Sequence, residues 1–376
     1  LTDPRHSDRP PHDRPRLTVD LDALARNYAR LKQASGRAET GAVVKADAYG
    51  LGLEPVVRRL AAEGCKTFFV ANIEEGARVR ALTASAAVYV FNGLAAGDEA
   101  HHAALALAPV LCEPEQLDRW IAARKRNAAA LPAALFLDTG MNRLGFSPAQ
   151  AEATRRRDDL AGDEVELLMS HFACAPTPEH PMNAEQIARF EAAATDFLAV
   201  FPSARASLAN SGGIFLGADA HFDLTRPGIA LYGGAPREDR SIAMDPVAIL
   251  EAPILQVREL EPGESIGYGG DHVVARPTRA ATVAAGYADG FLRAGGGRGY
   301  GVIGGRRAPI VGRVSMDLMT LDVTEAAKAA RPGALVELLG PNALVDDQAE
   351  AAGAVAYELL VRLGPRCERR YLGSAA

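Results

Sequence analysis

From residue 41 to about residue 236 the chain alternates short apolar or β-branched runs with stretches of helical periodicity. No other feature restricts its fold as tightly. Candidate strands are residues 41–45, 67–71, 87–91, 109–111, 134–137, 165–170, 206–209 and 229–231. Helical patterns occupy residues 53–63, 74–82, 115–126 and 183–201 between them. Around eight βα units in roughly 220 residues have the size and rhythm of an α/β fold, a parallel (β/α)₈ TIM-like barrel. A doubly wound sheet alternates in a similar way, so the pattern alone does not separate the two.

After Pro236 the rhythm changes. Short β-rich runs at residues 248–259, 272–275, 279–284, 301–303, 307–314, 318–322 and 334–339 are punctuated by Gly and Pro. They read as a mostly antiparallel β domain, finished by one helix over residues 347–362. Residues 1–16 are proline-rich, charged and nearly free of hydrophobics, which predicts a flexible arm whose removal is tolerated. The expected division is arm 1–16, barrel 17–238 and C-terminal β domain 239–376. The glycines of residues 295–299 lack the strand-before, helix-after context of a nucleotide loop and read as a turn or mobile loop.

Composition narrows the function. The 376 residues carry a net charge of −6, with no basic cluster interleaved with aromatics, which disfavours nucleic acid as a partner. Cys65, Cys112, Cys174 and Cys367 are scattered, and His171 with Cys174 lacks a second pair, so neither a metal site nor a disulfide scaffold is expected. That usage fits a reducing cytoplasm. No apolar run reaches the length of about 18 residues that spans a membrane. No signal peptide is visible, although a start at Leu1 leaves room for a removed leader.

Chemistry concentrates at the predicted strand ends, where barrel enzymes build their sites. Val43-Val44 delivers Lys45 to one such end, and the small or turn-forming residues 46–52 leave space around it. A partly desolvated lysine presents a neutral amine that condenses with an aldehyde. Asp138, Arg143, His171, Asn210, Ser211, Arg226 and Gly228 fall at other expected strand ends.

The wording of these segments carries more than their spacing does. Residues 42–50, Ala-Val-Val-Lys-Ala-Asp-Ala-Tyr-Gly, resemble the lysine segment of bacterial alanine racemases, which bind pyridoxal 5′-phosphate (PLP). Further matches follow in order: Asp138-Thr139-Gly140-Met141-Asn142-Arg143-Leu144-Gly145, Ser170-His171-Phe172-Ala173, Asn210-Ser211-Gly212-Gly213 and Arg226-Pro227-Gly228-Ile229-Ala230-Leu231-Tyr232-Gly233. In the second domain Gly267-Tyr268-Gly269, Gly312-Arg313-Val314-Ser315-Met316-Asp317 and Ala356-Tyr357-Glu358 are similar to the family's remaining site segments.

The resemblance implies a homodimeric enzyme that interconverts L- and D-alanine with PLP and supplies D-alanine for peptidoglycan. Lys45 would hold the cofactor and serve as one base. Tyr268 of the partner subunit would be the other, on the opposite face of the α-carbon. A phenol ordinarily titrates near about 10, and the family implies help through hydrogen bonds from Tyr268 to His171, to Arg226 and to the pyridine nitrogen. Tyr49, Asn210, Ser211, Gly228, Ile229 and Tyr357 would cradle the cofactor's phosphate end. Arg143 and the backbone near Met316 would orient the substrate carboxylate, with Asp317 in support.

One departure stands out. Many family members carry a lysine seven residues before this arginine, carbamylated so that it fixes the guanidinium, and here that position is Phe136. Asn142 with a bound anion such as chloride is the expected substitute. A racemase of serine, or of a broader amino-acid range, is the nearest alternative. A decarboxylase of similar layout would place an acid where Arg226 stands. A non-catalytic PLP-binding barrel would lack the β domain.

Overall fold

The structure, a computed structural model, describes residues 13–127, 132–160 and 162–373. It divides into two compact units, Leu21–Asp245 and the residues up to Asp20 together with Pro246–Gly373.

In the first unit Ala42–Val43, Thr67–Val70, Ala87–Val90, Ala108–Leu111, Ala134–Phe136, Leu167–Met169 and Arg205–Ser207 pair in that order, all parallel. An eighth, two-residue strand closes the ring. Leu224–Thr225 pairs in parallel with Glu39–Thr40. On its other side Asp223 N–H donates to Ala206 O at 2.9 Å and Arg226 N–H to Ala209 O at 2.8 Å. Gly41 N–H to Thr225 O and Val43 N–H to Pro227 O, both 2.9 Å, complete the seam. A closed ring excludes the doubly wound alternative.

The strands are buried on both faces, as a barrel sheathed by helices requires. Helices Leu53–Ala62, Ile73–Leu82, Pro114–Asn127 and Pro181–Leu198 lie between them in sequence. At the strand starts a polar knot forms: the Glu39 carboxylate accepts from Thr67 Oγ1 at 2.5 Å and Arg205 Nη1 at 2.6 Å, and Tyr89 Oη donates to Glu166 at 2.6 Å. Polar groups at this end favour stability, while the opposite end is left for function.

The expected strand over 229–231 is not one. Ile229–Tyr232 is a buried 3₁₀ turn after Gly228, and the strand lies upstream at Leu224–Thr225. A buried apolar run has no period by which helix and strand can be told apart.

In the second unit Arg306–Pro309, Tyr300–Ile303, Leu335–Leu339, Ala248–Leu260, Arg16–Asp20 and Glu368–Leu372 form one sheet in that order. Thr278–Val283 pairs with the far half of Ala248–Leu260 and carries Met319–Asp322. The long strand shifts register near Glu251 and again between Ile254 and Gln256, around Pro253. Bulges of that kind bend a strand so that it can serve two sheets. The single helix expected over 347–362 is two, Val345–Ala351 and Ala356–Arg362, interrupted by Gly353 at φ 63°. Residues 295–299 form a turn, closed by Gly299 N–H to Gly295 O at 2.8 Å.

The boundaries need correction. Arg16–Asp20, expected to open the barrel, instead lies between Ala248–Leu260 (antiparallel) and Glu368–Leu372 (parallel). Its register fixes Leu17 opposite Leu250, and both are fully buried. Residues 239–245 belong with the barrel unit. Of the expected arm, residues 1–12 lie outside the described residues, and Pro15 O accepts from Glu368 N–H at 2.9 Å. Replacing Leu17 with Ala leaves a cavity and should cost about 2–5 kcal/mol. Denaturant titration measures this, and a loss below about 1 kcal/mol would show that the strand is dispensable.

Candidate active site

Lys45 follows the first barrel strand directly, and residues 46–49 then wind the wrong way. Ala46, Asp47, Ala48 and Tyr49 all have φ between 54° and 55°, a left-handed turn built without glycine. Such a conformation costs an L-residue roughly 1–2 kcal/mol, so neighbours must hold it. The Glu75 carboxylate accepts from Ala46 N–H at 2.6 Å and, through its other oxygen, from Ala71 N–H at 2.8 Å. Asp47 accepts from Leu53 N–H at 3.1 Å and from Arg78 at 2.8 Å. The Lys45 side chain is open to the barrel mouth, with Nζ 5.6 Å from the centre of the Phe91 ring. Partial desolvation by the surrounding walls, then the charge of Arg143, lowers its proton affinity, with Glu75 acting the other way.

At the end of that turn Tyr49 stacks on Tyr232, ring centres 4.6 Å apart, and Tyr232 Oη is tied to Val43 O at 2.9 Å. The Tyr49 hydroxyl reaches Gly228: a Cβ there would fall 2.2 Å from it. Ser211 Oγ accepts from Gly228 N–H at 2.9 Å and Ala230 N–H at 3.3 Å. Gly212 and Gly213 pack too closely on Ala175 and Phe172 to carry a side chain without displacement. The Tyr49 and Ser211 hydroxyls therefore meet beside the Gly228–Ile229 backbone in one small cradle, and hydroxyls of this kind are donors suited to phosphate.

Arg226 is buried beside it. Nη1 donates to Ser207 Oγ, and Nη2 donates to Ser170 O and, at 3.3 Å, to Leu208 O. No described residue accepts from its Nε–H. Burial brings Arg226 down to about 9, which still leaves it cationic at neutral pH. His171 keeps some access to the opening, yet desolvation and the charges of Arg226, Arg143 and Lys45 hold it near 3. Its imidazole is thus neutral. Asn210 Nδ2 approaches His171 Nε2 at 3.4 Å, while Asn210 Oδ1 accepts from Gly213 N–H at 2.9 Å.

Two supports escape sequence reasoning. Gln186, fully buried, donates to His171 O at 2.9 Å and accepts from Ala173 N–H at 2.9 Å, fixing the histidine strand end. Glu75 is the other. Both sit inside helices, where Gln and Glu are unremarkable and carry no motif.

Arg143 rides a loop closed by Asp138, which accepts from Gly140 N–H at 2.9 Å and Asn142 N–H at 3.1 Å. The Asn142 side chain donates within the loop, to Gly140 O at 3.3 Å. Phe136 packs under it, so close that a Cβ on Gly145 would fall 2.5 Å from the ring. Among the described residues no carboxylate engages the Arg143 guanidinium.

The remaining expected residues lie on the second unit. Tyr268, 71 % exposed, projects from a loop whose glycines 267, 269 and 270 all have positive φ. Arg313 grips Asp271 beside it, Nε at 2.6 Å and Nη2 at 2.5 Å. Met316 is 54 % exposed; its carbonyl accepts from Ala288 N–H at 2.9 Å, and its N–H has no described acceptor. Asp317 pairs with Arg366 at 2.6 Å, and Tyr357 stands half exposed on Ala356–Arg362. Among the described residues no group of His, Cys, Asp and Glu could hold a metal.

The cradle can be tested by filling it. Gly228→Ala should displace the Tyr49 ring and cost about 1–3 kcal/mol by overpacking. In a Tyr49→Phe background, which removes the clashing hydroxyl, the penalty should shrink measurably in a double-mutant cycle of unfolding free energies. Additive effects would mean that the two residues do not touch.

Comparison with known proteins identifies the family. The model of the alanine racemase N-terminal domain matches residues 19–236, and that of the C-terminal domain matches residues 247–371. An alanine racemase of Rhodospirillum rubrum is 49 % identical over 364 residues, covering 95 % of this chain and 96 % of the relative. Agrobacterium fabrum has a catabolic and a biosynthetic alanine racemase, each 45 % identical over 95 % of this chain and covered to 92 % and 93 %. Among solved structures, the alanine racemase of Bartonella henselae with covalently bound pyridoxal phosphate superposes with a TM-score of 0.89 at 34 % identity, covering 96 % of this chain and 99 % of that one. The biosynthetic enzyme of Pseudomonas aeruginosa gives 0.88 at 38 %, with the same coverage. With both domain models matched and close relatives spanning nearly its whole length, the chain belongs to the alanine racemase family, a family of amino-acid isomerases.

Proposed function

We propose that this chain interconverts L- and D-alanine with pyridoxal 5′-phosphate, in a homodimer whose sites are each completed by Tyr268 of the partner subunit, and that it provides D-alanine for peptidoglycan. One observation carries the reading. Lys45, with its lowered proton affinity, and the Tyr49–Ser211–Gly228 cradle stand at the ends of the two strands that close the barrel. An amine for the aldehyde and an anion site for the phosphate are therefore neighbours, and the unused Arg226 Nε–H suits a ring nitrogen.

Bound there, PLP supplies the electron sink that acidifies the α C–H of an attached amino acid. The chain's residues do the rest. Lys45 Nζ holds the cofactor and exchanges the α-proton on one face, and Tyr268 Oη exchanges it on the other. Two bases on opposite faces invert the centre. Arg226 donates a hydrogen bond to the ring nitrogen without giving up a proton, because guanidinium does not deprotonate at working pH. Neutral His171, steadied by Asn210, links Arg226 to the phenol. Ser211, Tyr49, Tyr357 and the backbone of Gly228 and Ile229 hold the phosphate. Arg143, which no described carboxylate occupies, takes the substrate carboxylate together with the Met316 N–H. An anion beside Asn142 steadies Arg143 in place of a carbamylated lysine, and Asp317 braces the Met316 turn.

The exposed aromatic and apolar side chains of Tyr268, Tyr287, Met316 and Tyr357 on one unit support a dimer. No helix among the described residues is long and apolar enough to cross a membrane.

Chiral analysis after incubating the purified protein and PLP with L-alanine, with L-serine, L-lysine and L-arginine in parallel, tests the reading. D-alanine should accumulate toward an equal mixture while the others lag. Comparable conversion of serine would favour a broader racemase, and no D-alanine at all would end the proposal. Lys45→Ala should lose both the conversion and the visible band of bound cofactor. Tyr268→Phe should slow α-proton exchange from one enantiomer far more than from the other, and equal losses would argue against two separate bases.

A further inference from the structure

The left-handed turn separates the two residues that must be placed most accurately, Lys45 just before it and Tyr49 at its end. Right-handed winding would send Tyr49 away from Gly228. Asp47 tolerates this region better than most residues, but nothing intrinsic to Ala46, Ala48 and Tyr49 favours it, since none is glycine. Besides the turn's own backbone bonds and the Leu53 N–H bond to Asp47, the side-chain hold comes from one helix, Ile73–Leu82. Asn72 caps that helix by accepting from Glu75 N–H at 2.9 Å, which orients the first turn. Glu75 then spans two strand ends, taking Ala46 N–H on one oxygen and Ala71 N–H on the other. The first of these bonds is 2.6 Å long, as expected for an ionised acceptor, and the same oxygen lies 3.4 Å from Asp47 N. Three residues on, along the same helix face, Arg78 bridges Asp47 at 2.8 Å and Glu54 at 2.8 and 2.9 Å.

We propose that Glu75 is a positioning residue for the reaction: its carboxylate locks the left-handed turn and so sets the separation between the Lys45 amine and the Tyr49 hydroxyl, which together fit the two ends of the cofactor. The assignment of a cofactor rests on the function proposed above; the lock itself does not. Ala46 and Ala71 both present N–H donors, so only a side chain with two acceptor oxygens satisfies both. Glutamine would turn a donor toward one of them. Aspartate is one methylene too short to bridge the same span.

The experiment uses the full chain and the variants Glu75→Ala, Glu75→Gln and Glu54→Ala. The last removes a carboxylate from the same polar cluster while leaving Glu75 and the Arg78–Asp47 contact in place, so it reports a merely structural loss. Three quantities are read: hydrogen exchange of the peptide covering residues 45–52 in cofactor-free protein, the dissociation constant for PLP from its visible band, and kcat against KM for alanine. Glu75→Ala should speed exchange in 45–52 but not in 21–34. It should weaken PLP binding by about tenfold or more and lower kcat more than it raises KM, since misplacement of about 1 Å at a reacting group costs on the order of a hundredfold. Glu75→Gln should fall between wild type and Ala, and it serves alone if the Ala variant does not fold. Glu54→Ala should shift the melting temperature while leaving the other readouts near wild type. Unchanged exchange in 45–52, or PLP and kcat losses no larger than those of Glu54→Ala, would overturn the proposal. If the wild type neither binds PLP nor racemises alanine, the functional reading fails instead, and the exchange data still decide whether Glu75 locks the turn.

Discussion

A ring of parallel strands has to close, and here it closes through very little chain. Leu224–Thr225 is only two residues long, yet it is bonded to Arg205–Ser207 on one side and to residues 39–43 on the other. That seam brings residues about 180 positions apart in sequence to adjoining strand ends. Lys45 and Tyr49 continue from one strand, Arg226 and Gly228 from the other. Everything the cradle does depends on this adjacency. The short strand can afford no slip, because a shift of one residue would turn Arg226 from the interior to the other face. Its short backbone hydrogen bonds and the three bonds of the Arg226 guanidinium to Ser207, Ser170 and Leu208 pin the register from both main chain and side chain.

Charge decides what such a mouth can hold. Burial first, and then the like charges of Arg226, Arg143 and Lys45, keep His171 neutral. Cations gathered with so few counter-charges favour an anionic ligand, and more so where water is partly excluded. The arrangement also has internal logic. A protonated His171 would add a further positive charge next to Arg226, while a neutral one can accept from one neighbour and donate to another. Burial of Arg226 carries a desolvation cost, offset by three acceptors at the ends of two strands and leaving its Nε–H for a ligand.

The barrel rhythm is readable because most of its strands are apolar runs separated by helical stretches. The eighth was misplaced by several residues, since two residues offer no period and the apolar run at 229–231 is a 3₁₀ turn. Long-range pairing escaped as well. Nothing in Glu368–Leu372, with three charged residues in five, marks a strand, and it exists because Arg16–Asp20 lies alongside it. Residues recognised by their motifs, among them Lys45, Ser211 and Arg226, came into view through wording that spacing alone would not have singled out. Glu75 and Gln186 did not, because what distinguishes them is the backbone donor they reach across the fold, and that is invisible until the strands are in place.

The two units present Lys45 and Tyr268 by opposite means. Lys45 is followed by a turn of non-glycine residues in an unfavourable conformation, so its geometry must be imposed from outside, by Glu75 and Arg78. Tyr268 is surrounded by glycines 267, 269 and 270, which adopt positive φ at no steric cost, and the pairing of Ser265–Ile266 with His272–Val273 and a clasp between Arg313 and Asp271 limit the loop. A Cβ on Gly269 would fall 2.8 Å from Asp271 Oδ1, so the clasp itself needs that glycine. The contrast suits the demands on each. Under the proposed function the amine would both hold a cofactor and meet a proton, which tolerates little displacement, and strain balanced by several hydrogen bonds gives one defined state. A phenol standing 71 % exposed on a glycine loop can adjust its position, and the exposed Arg313–Asp271 pair restricts that adjustment without freezing it.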